Sequence, residues 1–137
     1  MLISENYIAG EGLKMKIGIT AKGKTLDSPL DPRFGRAEYL LFVDSDTLEC
    51  EAVDNAATAA SGGAGIVAAQ AVVEKGVQAV ITGSVGPNAI SVLQAAQIAI
   101  YQGQAVSVRE NIALYRKTAL ERIAVAVPAH SGLGNPR

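Results

Sequence analysis

A single cysteine, Cys50, and a single histidine, His130, are all the thiol and imidazole ligands that 137 residues provide. One cysteine forms no internal disulfide, so the cytoplasm is the default compartment. No His-x-His, Cys-x-x-Cys or His-Glu-x-x-His spacing occurs, which excludes a self-sufficient zinc or iron–sulfur site of the usual kinds. An excess of one charge is also missing: 12 Lys and Arg stand against 13 Asp and Glu, a formal net charge of −1. Such a chain lacks the basic footprint of a non-specific nucleic-acid binder. No run approaches the ~18 apolar residues of a membrane span. The first residues have neither the basic region nor the apolar run of a secretory signal. What is present is a 49% hydrophobic, 18% charged composition. That excludes a disordered chain, and the length suits one domain with its own core.

Residues 1–14 show no strong period and read as a flexible N-terminal extension, with Met15 offering a second start. From there the pattern predicts strand 1 over 15–20, a polar loop over 21–37 and strand 2 over 38–44. Strand 2 (EYLLFVD) is apolar on both faces, as a strand covered on both sides must be. A turn at Asp44-Ser45-Asp46 leads to strand 3 over 47–53. Its alternation places Leu48, Cys50 and Ala52 inward, making Cys50 a buried structural thiol. Glu49 and Glu51 point outward and guard an edge. Helix A is expected over 64–75 with Gly76 as its cap, and strand 4 over 78–82. Helix B begins at Pro87 with a stripe of Ala89, Val92, Leu93 and Ala96, and strand 5 spans 98–101. Helix C opens on Ser107 and Glu110 in capping-box spacing, with Val108, Ile112, Tyr115 and Ala119 inward. The apolar stretch 123–127 extends helix C or adds a short strand, and 122–137 reads as a C-terminal tail. The order β-β-β-α-β-α-β-α predicts one mixed five-stranded α/β domain over 15–121, helices on both faces.

Open α/β sheets bind ligands at the carboxyl ends of their strands, where the irregular segments 21–37, 55–65, 83–87 and 102–107 gather. Two of these are glycine-rich and lead into helices. Gly62, Gly63 and Gly65 precede or open helix A; Gly83, Gly86, Pro87 and Asn88 precede or open helix B. Free amides and the positive end of a helix dipole suit such places to anions. The same glycines also serve simply to turn the chain and let helices pack. Neither loop carries a Walker or GxGxxG signature, so no nucleotide is expected. Arg33, Phe34, Gly35 and Arg36 form either an anion clamp at the same edge or two solvated arginines around a core aromatic. Five aspartates (Asp27, Asp31, Asp44, Asp46 and Asp54) invite a two-metal nuclease reading. Strand 1 carries no carboxylate, and two-metal sites need acids on adjacent strands.

Four segments in order are more specific. Met15-Lys16-Ile17-Gly18-Ile19, Leu30-Asp31-Pro32-Arg33-Phe34-Gly35-Arg36-Ala37-Glu38-Tyr39, Gly62-Gly63-Ala64-Gly65 and Gly83-Ser84-Val85-Gly86-Pro87-Asn88-Ala89 resemble the dinitrogenase iron–molybdenum cofactor biosynthesis family. The resemblance covers residues 15–121 and includes proteins of the NifX type and the C-terminal region of the NifB type. It implies a three-layer, ribonuclease-H-like α/β/α fold with sheet order 3-2-1-4-5 and strand 2 antiparallel. It also implies non-enzymatic binding or carriage of an anionic molybdenum-containing metal–sulfur cluster, with iron or copper. Some small stand-alone relatives resemble an orange-coloured protein that carries a molybdenum–copper sulfide cluster. Cluster donor and acceptor proteins would be the partners of a monomer or weak homodimer, with no nucleic acid and no membrane. Family members often have His before Phe-Gly-Arg; this chain has Arg33. An arginine ligates no metal but neutralises and hydrogen-bonds an anion, which favours electrostatic holding. Two other classes stay open at this point: a cofactor-free interaction module seated on 123–127, and an enzyme for a small phosphorylated ligand.

Overall fold

Strand β1 (Lys16–Ala21) is buried at every residue after Lys16, so it must lie at the centre of a sheet covered on both faces. A computed structural model, which describes residues 16–55 and 62–123, places it there. Strands β2 (Tyr39–Asp44), β3 (Cys50–Asp54), β4 (Ala79–Thr82) and β5 (Ala99–Gln102) complete a sheet of order β3-β2-β1-β4-β5. β2 runs antiparallel to β1 and β3, while β1, β4 and β5 are mutually parallel. This is the expected mixed sheet and strand order.

Period-two alternation divides the core into two layers. Leu40, Phe42, Val80 and Ile100 face helices α1 (Ala64–Glu74) and α2 (Pro87–Ala95), with Phe34 in the same cluster. Ile17, Ile19, Leu41, Val43, Ala79 and Ile81 face helix α3 (Val108–Arg116). The result is α/β/α. Phe34 is 2% exposed and sits in a 3₁₀ turn, Phe34–Arg36. Its ring therefore anchors a surface loop to the core. Phe34→Ala should cost about 3–5 kcal/mol of stability, the usual cost of emptying a buried aromatic site. A denaturant titration checks this; a loss within about 0.5 kcal/mol, typical of surface changes, would contradict the anchor.

Several boundaries differ from the sequence pattern for identifiable reasons. Strand β3 starts at Cys50, because Asp44 organises the preceding turn. Its Oδ1 accepts from the amides of Asp46 and Thr47 at 2.8 and 3.0 Å, and its backbone amide donates to the Glu49 carbonyl at 2.9 Å. Leu48 takes a left-handed φ of 66° in that turn. On α2 the buried residues are Ala89, Ile90 and Leu93, while Ala96 is the exposed C-cap. Helix α3 ends at Arg116. Thr118 turns left-handed, and the amide of Ala119 donates back to the Leu114 carbonyl at 2.9 Å, leaving Ala119 exposed. Residues 121–123 form a single antiparallel bridge beside β5, Tyr101 to Arg122, while 124–127 of the stretch read as helix or strand lie outside the described residues. Gln102 donates to the Glu121 carbonyl at 2.8 Å and Ile123 to that of Ile100 at 2.7 Å. The proposed extension 1–14 and most of the tail, 124–137, lie outside the described residues.

Cys50 corrects the sequence reading. It lies opposite Val43 in register, on the predicted face, yet it is exposed. The core beneath α3 draws its buried residues from β1, β2 and β4, and edge strand β3 contributes none. Partial desolvation still pushes the Cys50 thiol pKa up. No helix of the described residues is long and apolar enough to cross a membrane.

Candidate functional site

The loops after β1 and β4 are zipped together at the carboxyl edge of the sheet. Arg33 and Ser84 form a parallel bridge; the Ser84 amide donates to the Pro32 carbonyl at 2.6 Å, and the Phe34 amide to the Ser84 carbonyl at 3.2 Å. Gly83 permits this contact, since a Cβ there would lie 2.5 Å from Pro32 Cβ. Below the loops, the Thr20 hydroxyl donates to the Asp31 carbonyl at 2.6 Å and shares a 2.7 Å hydrogen bond with Thr82. Thr20, Thr82 and Asp31 are all fully buried.

Asp31 is the electrostatic anchor of the loop. Its Oδ1 accepts from the Arg33 amide and Nε, both at 3.0 Å, and its Oδ2 accepts from Nη2 at 2.9 Å. The Asp31 side chain is 0% exposed and the Arg33 side chain 60% exposed. Burial alone would raise the Asp31 pKa. The side-chain and backbone hydrogen bonds from Arg33, its charge and that of Lys22 outweigh burial and hold the carboxyl below its usual range. Arg33 is pushed up in return, chiefly by the hydrogen bond to Asp31. Arg33 is therefore committed to an internal acid. Arg36, three residues on, is exposed and has no ion-pair partner among the described residues.

Beside this loop lies a cleft of about 340 Å³. Of the residues expected from sequence, Phe34, Gly35, Arg36, Gly63, Gly65, Gly86, Pro87 and Asn88 line it together. Arg33, Gly62 and Gly83 are not among its described walls. Ala64, Ile66 and Ala89 complete it, residues that small apolar identity does not flag in a sequence. Asp31 was also outside the expected set. Its signal was the Asp-x-Arg spacing, which lets an arginine fold back on a nearby acid.

Two helices open onto the cleft without side-chain caps. Gly63, at a left-handed φ of 70°, precedes α1, and Gly86 precedes α2 with Pro87 in its first turn. The first amides with intrahelical partners are those of Val67, which reaches Gly63 at 3.1 Å, and Ile90, which reaches Gly86 at 3.0 Å. The amides of Gly65, Ile66, Asn88 and Ala89 therefore donate to no acceptor among the described residues. Helix α3, outside the cleft, is closed instead by a full capping box of Ser107 and Glu110. Gly35 brings the 3₁₀ turn against α1 so closely that a Cβ would fall 2.8 Å from the Gly65 nitrogen. No Asp or Glu is among the described walls, and no cluster of three ligating side chains exists among the described residues. The cleft thus offers unpaired amides, two positive helix ends and one guanidinium, with no acid to oppose an anion.

The family described as dinitrogenase iron-molybdenum cofactor matches residues 15–118. The chain belongs to this family. Its fold is similar to that of the apo orange protein of Desulfovibrio gigas, with 40% identity and a TM-score of 0.77. That match covers 81% of this chain and 94% of the other. A NifB-like protein of Thermotoga is 32% identical with a TM-score of 0.69, covering 88% of this chain and 99% of its own. A Methanocaldococcus jannaschii protein is 32% identical over 96 residues, 68% of this chain and 81% of that one. Membership ties the chain to cofactor-related binding or carriage, consistent with an anion cleft built without ligating side chains.

Proposed function

We propose that this family member is a non-enzymatic carrier for an anionic molybdenum-containing metal–sulfur cluster, with iron or copper as the second metal. The observation that carries the reading is the convergence of two uncapped helix N-termini and unpaired Arg36 on an acid-free cleft. A cluster whose sulfides complete its own coordination needs no protein thiolate or imidazole. It needs neutralisation, amide donors and a partly apolar wall, which Phe34, Ile66 and Pro87 supply. Cluster-donating and cluster-accepting proteins, met in the cytoplasm, would be the natural partners of such a carrier.

The test mixes purified chain with tetrathiomolybdate and copper or iron, then separates protein from free metal. A visible absorption band should travel with the protein. Arg36→Ala should weaken retention about tenfold or more, since a hydrogen bond to a charged group is worth roughly 1.5–3 kcal/mol. Retention in the parent should also fall with salt, because exposed charges are screened beyond roughly 8–10 Å. Cys50→Ser should change nothing, as Cys50 lies at the opposite strand edge, beside Lys16 and Asp44. Folded protein that holds no metal after mixing would overturn the proposal.

A further inference from the structure

A second cavity, of about 370 Å³, lies under the C-terminal end of α3, on the sheet face away from α1 and α2. Its described walls are Ser45, Tyr101, Tyr115, Arg116, Thr118 and Leu120. Nothing in the cluster-carrier reading uses them. Two of these residues carry a stability penalty at their positions. Ser45 is 5% exposed, and its hydroxyl has no hydrogen-bond partner among the described residues. A buried hydroxyl without a partner is costly. Thr118 is a β-branched residue held at a left-handed φ of 56°, where glycine is the ordinary choice.

The remaining walls define the chemistry. Tyr101 and Tyr115 meet edge to face with ring centroids 5.2 Å apart, and Leu120 is nearly buried beside them. That surface suits a flat ring, which packs in offset or edge-on geometry. Arg116 is exposed and has no ion-pair partner among the described residues. Its planar fork matches a carboxylate bidentately, and no acid is among the described walls to compete. We infer that this cavity is a binding site for a small planar aromatic carboxylate, distinct from the cleft at the carboxyl edge. The ring lies against the two tyrosines, the carboxylate meets Arg116, and a polar substituent or bound water reaches Ser45.

The test uses the full chain labelled with ¹⁵N and titrated with benzoate, phenylacetate and the neutral analogue benzamide. Millimolar affinity is expected for ligands of so few atoms. Saturable shifts should appear in the amides of residues 45, 101 and 115–120, with little change at 35, 65 and 88. Benzamide should bind about tenfold more weakly, the worth of one charge-assisted contact, and Arg116→Gln should erase that difference. Ser45→Ala and Thr118→Gly should each raise the thermal midpoint by roughly 2–6 °C, by removing an unpaired hydroxyl or a strained backbone. Both should weaken benzoate binding at least threefold. Absence of saturable shifts with both acids, equal binding of acid and amide, or lower midpoints in both stability variants would each overturn the inference. Arg116→Gln changes an exposed side chain, so its result does not depend on the fate of the Ser45 and Thr118 variants.

Discussion

Arg33→Ala is expected to destabilise the chain more at neutral than at acidic pH. In the parent, the folded Asp31 carboxyl titrates below its ordinary value of 3.8. Such a group contributes stability that is fully present above the unfolded pKa and lost as pH falls through the folded one. Removing the Arg33 side chain deletes two hydrogen bonds and the nearest charge but leaves the burial. The third bond, from the backbone amide of residue 33 at 3.0 Å, does not depend on the side chain. Desolvation, the largest single influence, is then opposed only by the backbone amide and the Lys22 charge, so the folded pKa rises relative to the parent. The stability that the parent gains from Asp31 as pH rises through its titration is correspondingly reduced in the variant. Denaturant midpoints for parent and variant should therefore diverge as pH rises from about 3 to 7, the gap at neutrality being several times that at acid. Parallel curves would show that Asp31 does not depend on Arg33. Arg36→Ala supplies the contrast. It should leave the midpoint nearly unchanged and affect the cleft's hold on an anion, so the two arginines separate by readout.

That division of labour could not be read from the sequence. Two arginines around Phe-Gly look equivalent in a string, and both the anion clamp and the solvated turn treated them alike. The distinction depends on Asp31 being buried, which follows from the tertiary pairing of its amide with the Thr20 carbonyl at 3.0 Å. The sheet, by contrast, was legible because burial on both faces leaves nearly continuous apolar runs, as in Ile17–Ala21, interrupted only by Thr20, and Leu40–Val43. Helix starts were legible where side chains make them, as at Ser107 and Glu110. The glycine loops marked the cleft because uncapped helix ends have a composition of their own. Cys50 was misread because alternation reports which face a residue takes, not whether a helix covers that face. Ile66 and Ala89 were missed because apolar cleft walls look like core. The α3 cavity left no motif at all: Ser45 and Thr118 are ordinary residues made unusual by burial and by φ.

A graded alanine series over three glycines should show how tightly the cleft is built. At Gly62 a Cβ meets nothing within 4 Å among the described residues, so Gly62→Ala should alter stability by no more than about 0.5 kcal/mol. At Gly65 the new methyl would sit 3.3 Å from Ala89 Cβ, pressing α1 against α2. Alanine is favoured over glycine inside a helix by roughly 0.8–1.0 kcal/mol, which offsets the crowding and should leave Gly65→Ala near neutral. At Gly35 the contacts are 2.8 Å to the Gly65 nitrogen, 3.0 Å to the Ala64 carbonyl carbon and 3.1 Å to the Gly65 Cα. All three are backbone atoms in the first turn of α1, so no side-chain rotation relieves them. Gly35→Ala should cost about 1–3 kcal/mol, the usual range for overpacking. It should also push the 3₁₀ turn off α1 and carry Arg36 away from the helix ends. Cluster retention should then fall in Gly35→Ala even under conditions where the variant is fully folded, while Gly62→Ala retains the parent's level. Denaturant midpoints and metal retention measured on the same preparations decide the matter. A Gly35→Ala variant as stable as the parent would mean that the turn and the helix are not held in the close contact that shapes the cleft.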